Sequence, residues 1–438
     1  MKYKGIIDET IAYLKGLGAD EVEVKLSESD DFEVYGNAGV LDLVRSVENA
    51  VLNVTVLKDQ KRANTVINDL SKENREKALV ALMASVSTAE PDPAYDLSAV
   101  ETPKHIVMGK KPEGEKEIED IKTKLTQMTA EFVDSVKADF PAVMLVEMGT
   151  NYKMKTSVLK NTKGTELLEE LYGYEVGAMF NAVDEEKSSS FNYVMSTPTG
   201  LDEPFLNNTY WRDTIGRNEK ELNAEPFNGR LEGNVMFAPT VVAEFLSELE
   251  ELALKDNAFI QDYSKWKNSI GEQVCDAKLT WHSAPLSDEV GGGYGITEDG
   301  FPVEDVTVIE NGVLKSHLLS LYGANKSGRK RAGNQGGIFL VEPGTTSLEK
   351  MISGIDRGIL ISRLSGGQPS PNGDFSGVAK NSFLIENGKI AGAVSEAMAT
   401  FNIFEVLKDI EALSIERHDA GFFKIPYLKS NRVLVTGK

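Results

Sequence analysis

Gly366-Gly367-Gln368-Pro369-Ser370-Pro371-Asn372-Gly373-Asp374-Phe375-Ser376-Gly377 is almost entirely turn formers, and an apolar run, Phe383-Leu384-Ile385, follows it and closes on Asn387-Gly388. Helix cannot pass through such a segment, because proline lacks the amide donor and glycine loses the most backbone freedom on ordering. An Asn-Gly pair after an apolar run is a strong hairpin signal. A second pair, Asn311-Gly312, and the many glycines beyond the junction Glu225-Pro226-Phe227-Asn228-Gly229 extend this texture over residues 225–438. This stretch is expected to form a mostly β, barrel-like domain with a few helices.

Residues 1–224 read differently, as an α/β domain in which one strand-helix unit is used twice, over about 1–100 and 112–224. Ile6, Ile7, Ile11, Leu14 and Leu17 in the segment Met1 to Lys25 have helical spacing. Alternation at Val22, Val24 and Leu26 predicts a short strand, Gly36-Asn37-Ala38-Gly39 a turn, and Val51 to Val56 and Ala63 to Ile67 further strands. Val143 to Val146, the turn Asn161-Thr162-Lys163-Gly164, Tyr174 to Phe180 and Phe191 to Val194 repeat that layout. Helices are expected over Ser71 to Ser87, opened by a cap-like Ser-x-x-Asn, and over Gly114 to Asp139. Glu90-Pro91-Asp92-Pro93-Ala94-Tyr95-Asp96 reads as a connector, with a lid as the alternative. The overall class is α+β.

Lys and Arg number 47 against 68 Asp and Glu, a net charge of -21, which disfavours a nonspecific hold on nucleic acid. One cysteine, Cys275, excludes an internal disulfide and suits a reducing compartment. No run approaches the roughly 18–20 apolar residues of a membrane span. A cytoplasmic protein with no membrane partner is the expectation.

The C-terminal turn unit with its strand and Asn-Gly turn resembles the signature of the TldD/PmbA family of zinc peptidase relatives. In zinc-binding members a helix resembling Leu-Leu-His-Glu-x-x-x-His supplies two metal ligands and a glutamate that activates water. The corresponding frame here reads Leu246-Ser247-Glu248-Leu249-Glu250-Glu251-Leu252, which retains a glutamate at Glu248 but replaces both histidines. The resemblance is therefore to the PmbA (TldE) branch. It implies a subunit of an intracellular TldD/TldE-type metallopeptidase acting on small or unfolded peptides, with zinc on a TldD-like paralogue and no cofactor on this chain. An active metallopeptidase with scattered ligands, and a homodimeric peptide-binding module, are the alternatives. The older family label, modulator of DNA gyrase, does not follow from these residues.

Within that frame Glu248 is the one weak catalytic candidate, while Glu250 and Glu251 read as the solvated face of an amphipathic helix. His105, His282, His317 and His418 include no short-spaced pair, and no metal ligands are assigned. The run Gly291-Gly292-Gly293-Tyr294-Gly295 lacks phosphate-loop spacing. Its glycines are expected to permit positive φ and close backbone approach, and the resemblance makes Gly292, Gly293, Tyr294 and Gly295 candidates for pairing with an extended peptide. Asn372 and Asp374 complete the candidate cleft, with Ser376 lacking a nucleophile elbow. Lys326 to Arg331 is the one dense cationic run and reads as a solvated loop or a partner contact.

Overall fold

A computed structural model describes residues 5–437, so the start of the expected first helix, residues 1–4, lies outside the described residues. The N-terminal elements are α1 (Gly5–Gly16), β1 (Glu21–Asn37), β2 (Val40–Lys58), β3 (Lys61–Ile67), α2 (Lys72–Thr88), β4 (Lys104–Met108), α3 (Glu115–Asp139), β5 (Val143–Asn161), β6 (Glu166–Ala182), β7 (Asn192–Ser196) and α4 (Thr209–Lys220). They form one sheet in the order β3-β2-β1-β5-β6-β4, with β7 also on β6. The helix-strand-strand-strand-helix order thus occurs twice. The copies meet where β1 and β5 pair antiparallel from Glu23↔Asn161 to Asn37↔Glu147.

Strand β1 is far longer than its apolar alternation suggests, since Ser27 to Asp31 is polar. It stays extended because β2 and β5 pair with both of its edges along this stretch. Even-numbered side chains, including Val22, Val24, Leu26, Phe32 and Val34, are buried in clusters with helix residues such as Leu79, Leu82 and Phe132. Odd-numbered positions face the open side of the sheet, which curls into a half-barrel. Ser71 precedes α2 without donating or accepting a side-chain cap. Its carbonyl instead accepts from Arg75 N at 2.9 Å.

All strands of this sheet end by Ser196, and the remaining strands begin at Glu225. The C-terminal half holds an eleven-stranded and a five-stranded sheet. The turn unit 366–377 feeds the strand Asp374–Lys380. Gly373 there has φ +85°, and a Cβ would stand 2.5 Å from the Phe404 ring. Asn387 and Gly388 both take positive φ, at 49° and 73°, as the hairpin requires. Helix α5 (Pro239–Leu249) begins with proline in its first turn. Its Val242, Phe245, Leu246 and Leu249 join one core with Trp211 and Phe132 of the N-terminal half.

Candidate substrate cleft and the adjoining helix

The open face of the half-barrel presents Ser27, Ser29, Asn49, Asn53, Lys153 and Lys155 to a cleft of about 410 Å³, walled opposite by Thr197 and Gly291 to Gly293. Lys153 Nζ lies 2.7 Å from Glu175 Oε1. Further along this face burial holds the Lys25 ammonium below its usual range, with Glu169 opposing. Burial also holds the Glu23 carboxyl above its usual range. The floor therefore offers hydroxyls, amides and amines, a set suited to binding a polar extended chain. The volume lies within the range of roughly 300–1,000 Å³ typical of ligand sites.

Gly292 and Gly293 line this cleft. None of Gly291, Gly292, Gly293 and Gly295 has positive φ, so close approach alone explains them. A Cβ on Gly291 would stand 2.0 Å from Thr197 O, and one on Gly293 2.0 Å from Pro285 O. The amides of Gly291 and Gly292 both donate to Gly421 O, at 2.9 and 3.2 Å. Gly295 N donates to the buried Glu169 Oε1 at 2.7 Å, tying the two halves together. Tyr294 turns into the C-terminal half, where its hydroxyl donates to Gly336 O at 3.0 Å. Asn372 and Asp374 lie elsewhere, at the five-stranded sheet. Asn402 Nδ2 donates to Asn372 O and to Asp374 Oδ1. Lys265 Nζ donates to Asn372 O.

Glu250 is not on a solvated face. It is 1% exposed, at the start of a π-helical continuation of α5. Lys255 Nζ lies 2.9 Å from its carboxylate, and Gly337 N donates to it at 3.0 Å. Glu251 does keep an exposed side chain, 59%. Glu248 is partly buried beside Glu251. One turn earlier Glu244 lines a cavity at the junction of the two halves, and burial pushes its carboxyl up to about 7, with Arg363 opposing. Ala243-Glu244 followed by Glu248 has the same His-Glu-x-x-x-His spacing as the frame at Ser247, four residues upstream. Reading the spacing in that second register would have drawn attention to Glu244.

The four histidines stay apart. His105 Nε2 is 3.4 Å from Glu170, and His282 Nδ1 is 3.0 Å from Thr307 Oγ1. His317 Nε2 is 3.0 Å from Trp266 O. His418 is buried against Tyr427. Burial also pushes the Cys275 thiol up. Two cations of the basic run are paired internally. Arg331 forks onto Asp299 with both distances 2.9 Å, and Lys326 Nζ meets Asp92 at 2.6 Å. With Tyr95 stacked on Tyr322 at 5.0 Å, that contact straps the 90–96 connector to the C-terminal half.

Residues 230–437 match the domain family described as the PmbA/TldA metallopeptidase C-terminal domain. The chain is thus of the metallopeptidase-related class, with a curled N-terminal sheet set before that domain. Over those residues it carries the C-terminal domain of the TldD/PmbA family. TldE from Thermococcus kodakarensis has the same fold, with a TM-score of 0.82 at 17% identity over 99% of both chains. A Bacteroides thetaiotaomicron protein provisionally named modulator of DNA gyrase matches at TM-score 0.83 and 19% identity, over 100% of this chain and 99% of that one. The metalloprotease PmbA homologue of Haemophilus influenzae is 22% identical over 407 residues, 90% of this chain and 87% of that protein. A metalloprotease of Methanothermobacter thermautotrophicus is 27% identical over 210 residues, 45% of this chain and 46% of that one, so the match spans under half of that relative's length.

The family implies zinc, and the residues of α5 do not fit it. Ala243 and Leu252 carry no donor, Ser247 is exposed, and the nearby His418 Nε2 already faces Tyr427 and Asp213. Among the described residues no group of three or more His, Cys, Asp or Glu is placed to hold a metal ion.

Proposed function

We propose that this chain is a TldE-like subunit of a cytoplasmic TldD/TldE-type peptidase, completing the peptide cleft of a zinc-bearing paralogue without performing hydrolysis alone. The observation that carries this is the helix α5, which keeps glutamates at Glu244 and Glu248 but offers no histidine at the motif spacing. The polar cleft between the half-barrel and Gly291 to Gly293 suits an extended peptide.

A partner would find an open place on the sheet. β6 is covered on its outer edge by β4 and β7. Its counterpart β2 is covered by β3 only from Leu52 onward. The remaining edge exposes Val40 at 62%, Leu43 at 40% and Val44 at 51%, which favours an added strand from the paralogue.

Affinity purification from native extract with mass spectrometry and zinc analysis tests the reading. A near-equimolar paralogue carrying His-Glu-x-x-x-His and one zinc per pair is the expected result. Recovery of this chain by itself, or zinc bound stoichiometrically to it, would overturn the assignment.

A further inference from the structure

Three charged side chains line the glycine-walled cleft, Lys153, Lys155 and Glu175. Glu175 is taken by Lys153, whose Nζ lies 2.7 Å from its Oε1. Lys155 makes no ion pair and no side-chain hydrogen bond with the described residues. Lys25, further along the same face, is attracted by Glu169 and Glu23 as well as opposed by Lys155, so acids already answer its charge. The cleft is left with one uncompensated cation, in a chain whose net charge is -21.

The surroundings of Lys155 add donors. Lys155 pairs with Ser29 across β1 and β5, and Ser27 with Ser157 at the next position on this face. Ser27 Oγ and Ser157 Oγ are 3.0 Å apart. Ser157 is fully buried, so its hydrogen is best spent on Ser27, whose own hydroxyl hydrogen is left for the cleft. The Ser29 hydrogen is used on Asp31 Oδ2 at 2.8 Å. The side-chain amides of Asn49 and Asn53, on the same wall, form no hydrogen bond with the described residues.

Water solvates an ammonium until a peptide fills the cleft. A bound peptide that displaces this water without supplying an anion leaves a desolvated cation, which is costly. An ammonium would place a like charge beside Lys155, and a neutral amide would leave it uncompensated. A carboxylate supplies the missing charge and acceptors for the Ser27 hydroxyl and the free amides. The negative charge of the whole chain opposes an anion only weakly here, because charges beyond about 8–10 Å are screened at ordinary salt. We propose that the cleft selects extended peptides that carry a carboxylate, from the chain terminus or from an acidic side chain, and holds that group at Lys155 with Ser27 as a donor. This site presupposes the peptide cleft of the proposed function and adds the class of peptide it takes.

The test is NMR of the full chain with its lysines 13C-dimethylated, which keeps their charge, titrated with Ac-Ala-Ala-Ala-Ala-OH, Ac-Ala-Glu-Ala-Ala-NHMe, Ac-Ala-Ala-Ala-Ala-NHMe and inorganic phosphate. Lys155→Met and Lys153→Met assign the two cleft resonances. At least one carboxylate peptide should shift the Lys155 resonance saturably and bind about tenfold tighter than the uncharged peptide. In Lys155→Met, read at Lys153, that preference should vanish, and in Lys155→Arg it should persist. Should Lys155→Met not fold, Lys155→Gln makes the same comparison. A response to the free-acid peptide alone indicates the chain terminus, and a response to the glutamyl peptide indicates a side chain; either supports the site. Equal binding of charged and uncharged peptides would overturn the carboxylate site and leave the peptide cleft standing. Binding of phosphate alone would make Lys155 a general anion contact, and no binding of any peptide would overturn the cleft as well. The readings use this chain without a paralogue, so a failed pairing in the affinity purification is a separate result.

Discussion

At the scale of single residues the junction is held by buried groups that no short motif announces. Tyr427 is 1% exposed. Its hydroxyl accepts from Arg217 Nη2 at 2.7 Å and pairs with His418 Nε2 at 2.9 Å. Tyr427→Phe strands both partners in the core and should destabilise by about 1–3 kcal/mol in urea titration. Glu221 gives a pH signature. Burial pushes its carboxyl up to about 7, with the Asn381 amide opposing, so the folded state keeps a proton that the unfolded chain releases near 4.5. Its contribution is present below about 4.5 and lost as pH rises through about 7. Glu221→Gln keeps the acceptor for Asn381 without the charge, so its stability relative to the parent should rise by on the order of 1–3 kcal/mol between pH 4.5 and 8. Equal urea midpoint differences at the two pH values would refute this. Neither residue was legible in the sequence, because an isolated Glu or Tyr shows no burial until distant segments converge on it.

At the scale of elements, the sequence shows what alternates and conceals what is merely paired. The apolar positions of α5 and of Val22 to Leu26 were readable, since periodicity reports a buried face directly. The length of β1 was not, because Ser27 to Asp31 are polar on a strand whose order comes from its neighbours. Glycines show the same divide. Asn387-Gly388 is a local turn and could be read. The need for glycine at 421 comes from Thr197, whose carbonyl oxygen would lie 1.9 Å from an added Cβ, and the residue sits at φ +79°. Gly421→Ala should therefore force the seam between the halves apart, costing about 2–4 kcal/mol. Hydrogen exchange should quicken around residues 197 and 291–293. Gly392→Ala, with nothing within 4 Å of its added Cβ, is the control and should be close to neutral. A mild Gly421→Ala would mean that the two halves are not locked by this contact.

For the whole molecule, family membership was legible from the C-terminal turn unit, while the relation between the two N-terminal units needed the sheet. Their pairing through β1 and β5 gives an internal near-symmetry that breaks at one place. β4 runs parallel along β6 from Lys104↔Leu167 to Met108↔Leu171, and among the described residues the corresponding outer edge of β2 has no strand. Edges with exposed valines are usually blunted by charge or covered. Here Val40 and Val44 are over half exposed, and under the proposed function the paralogue would cover them. Lysine at both positions would block strand addition and leave the core intact. The Val40→Lys, Val44→Lys double variant should keep its unfolding midpoint within about 0.5 kcal/mol of the parent and lose its paralogue in sedimentation velocity. If the complex sediments unchanged, the open edge of β2 is not the assembly surface, and the covering of this apolar edge must be sought in contacts other than the peptidase pair.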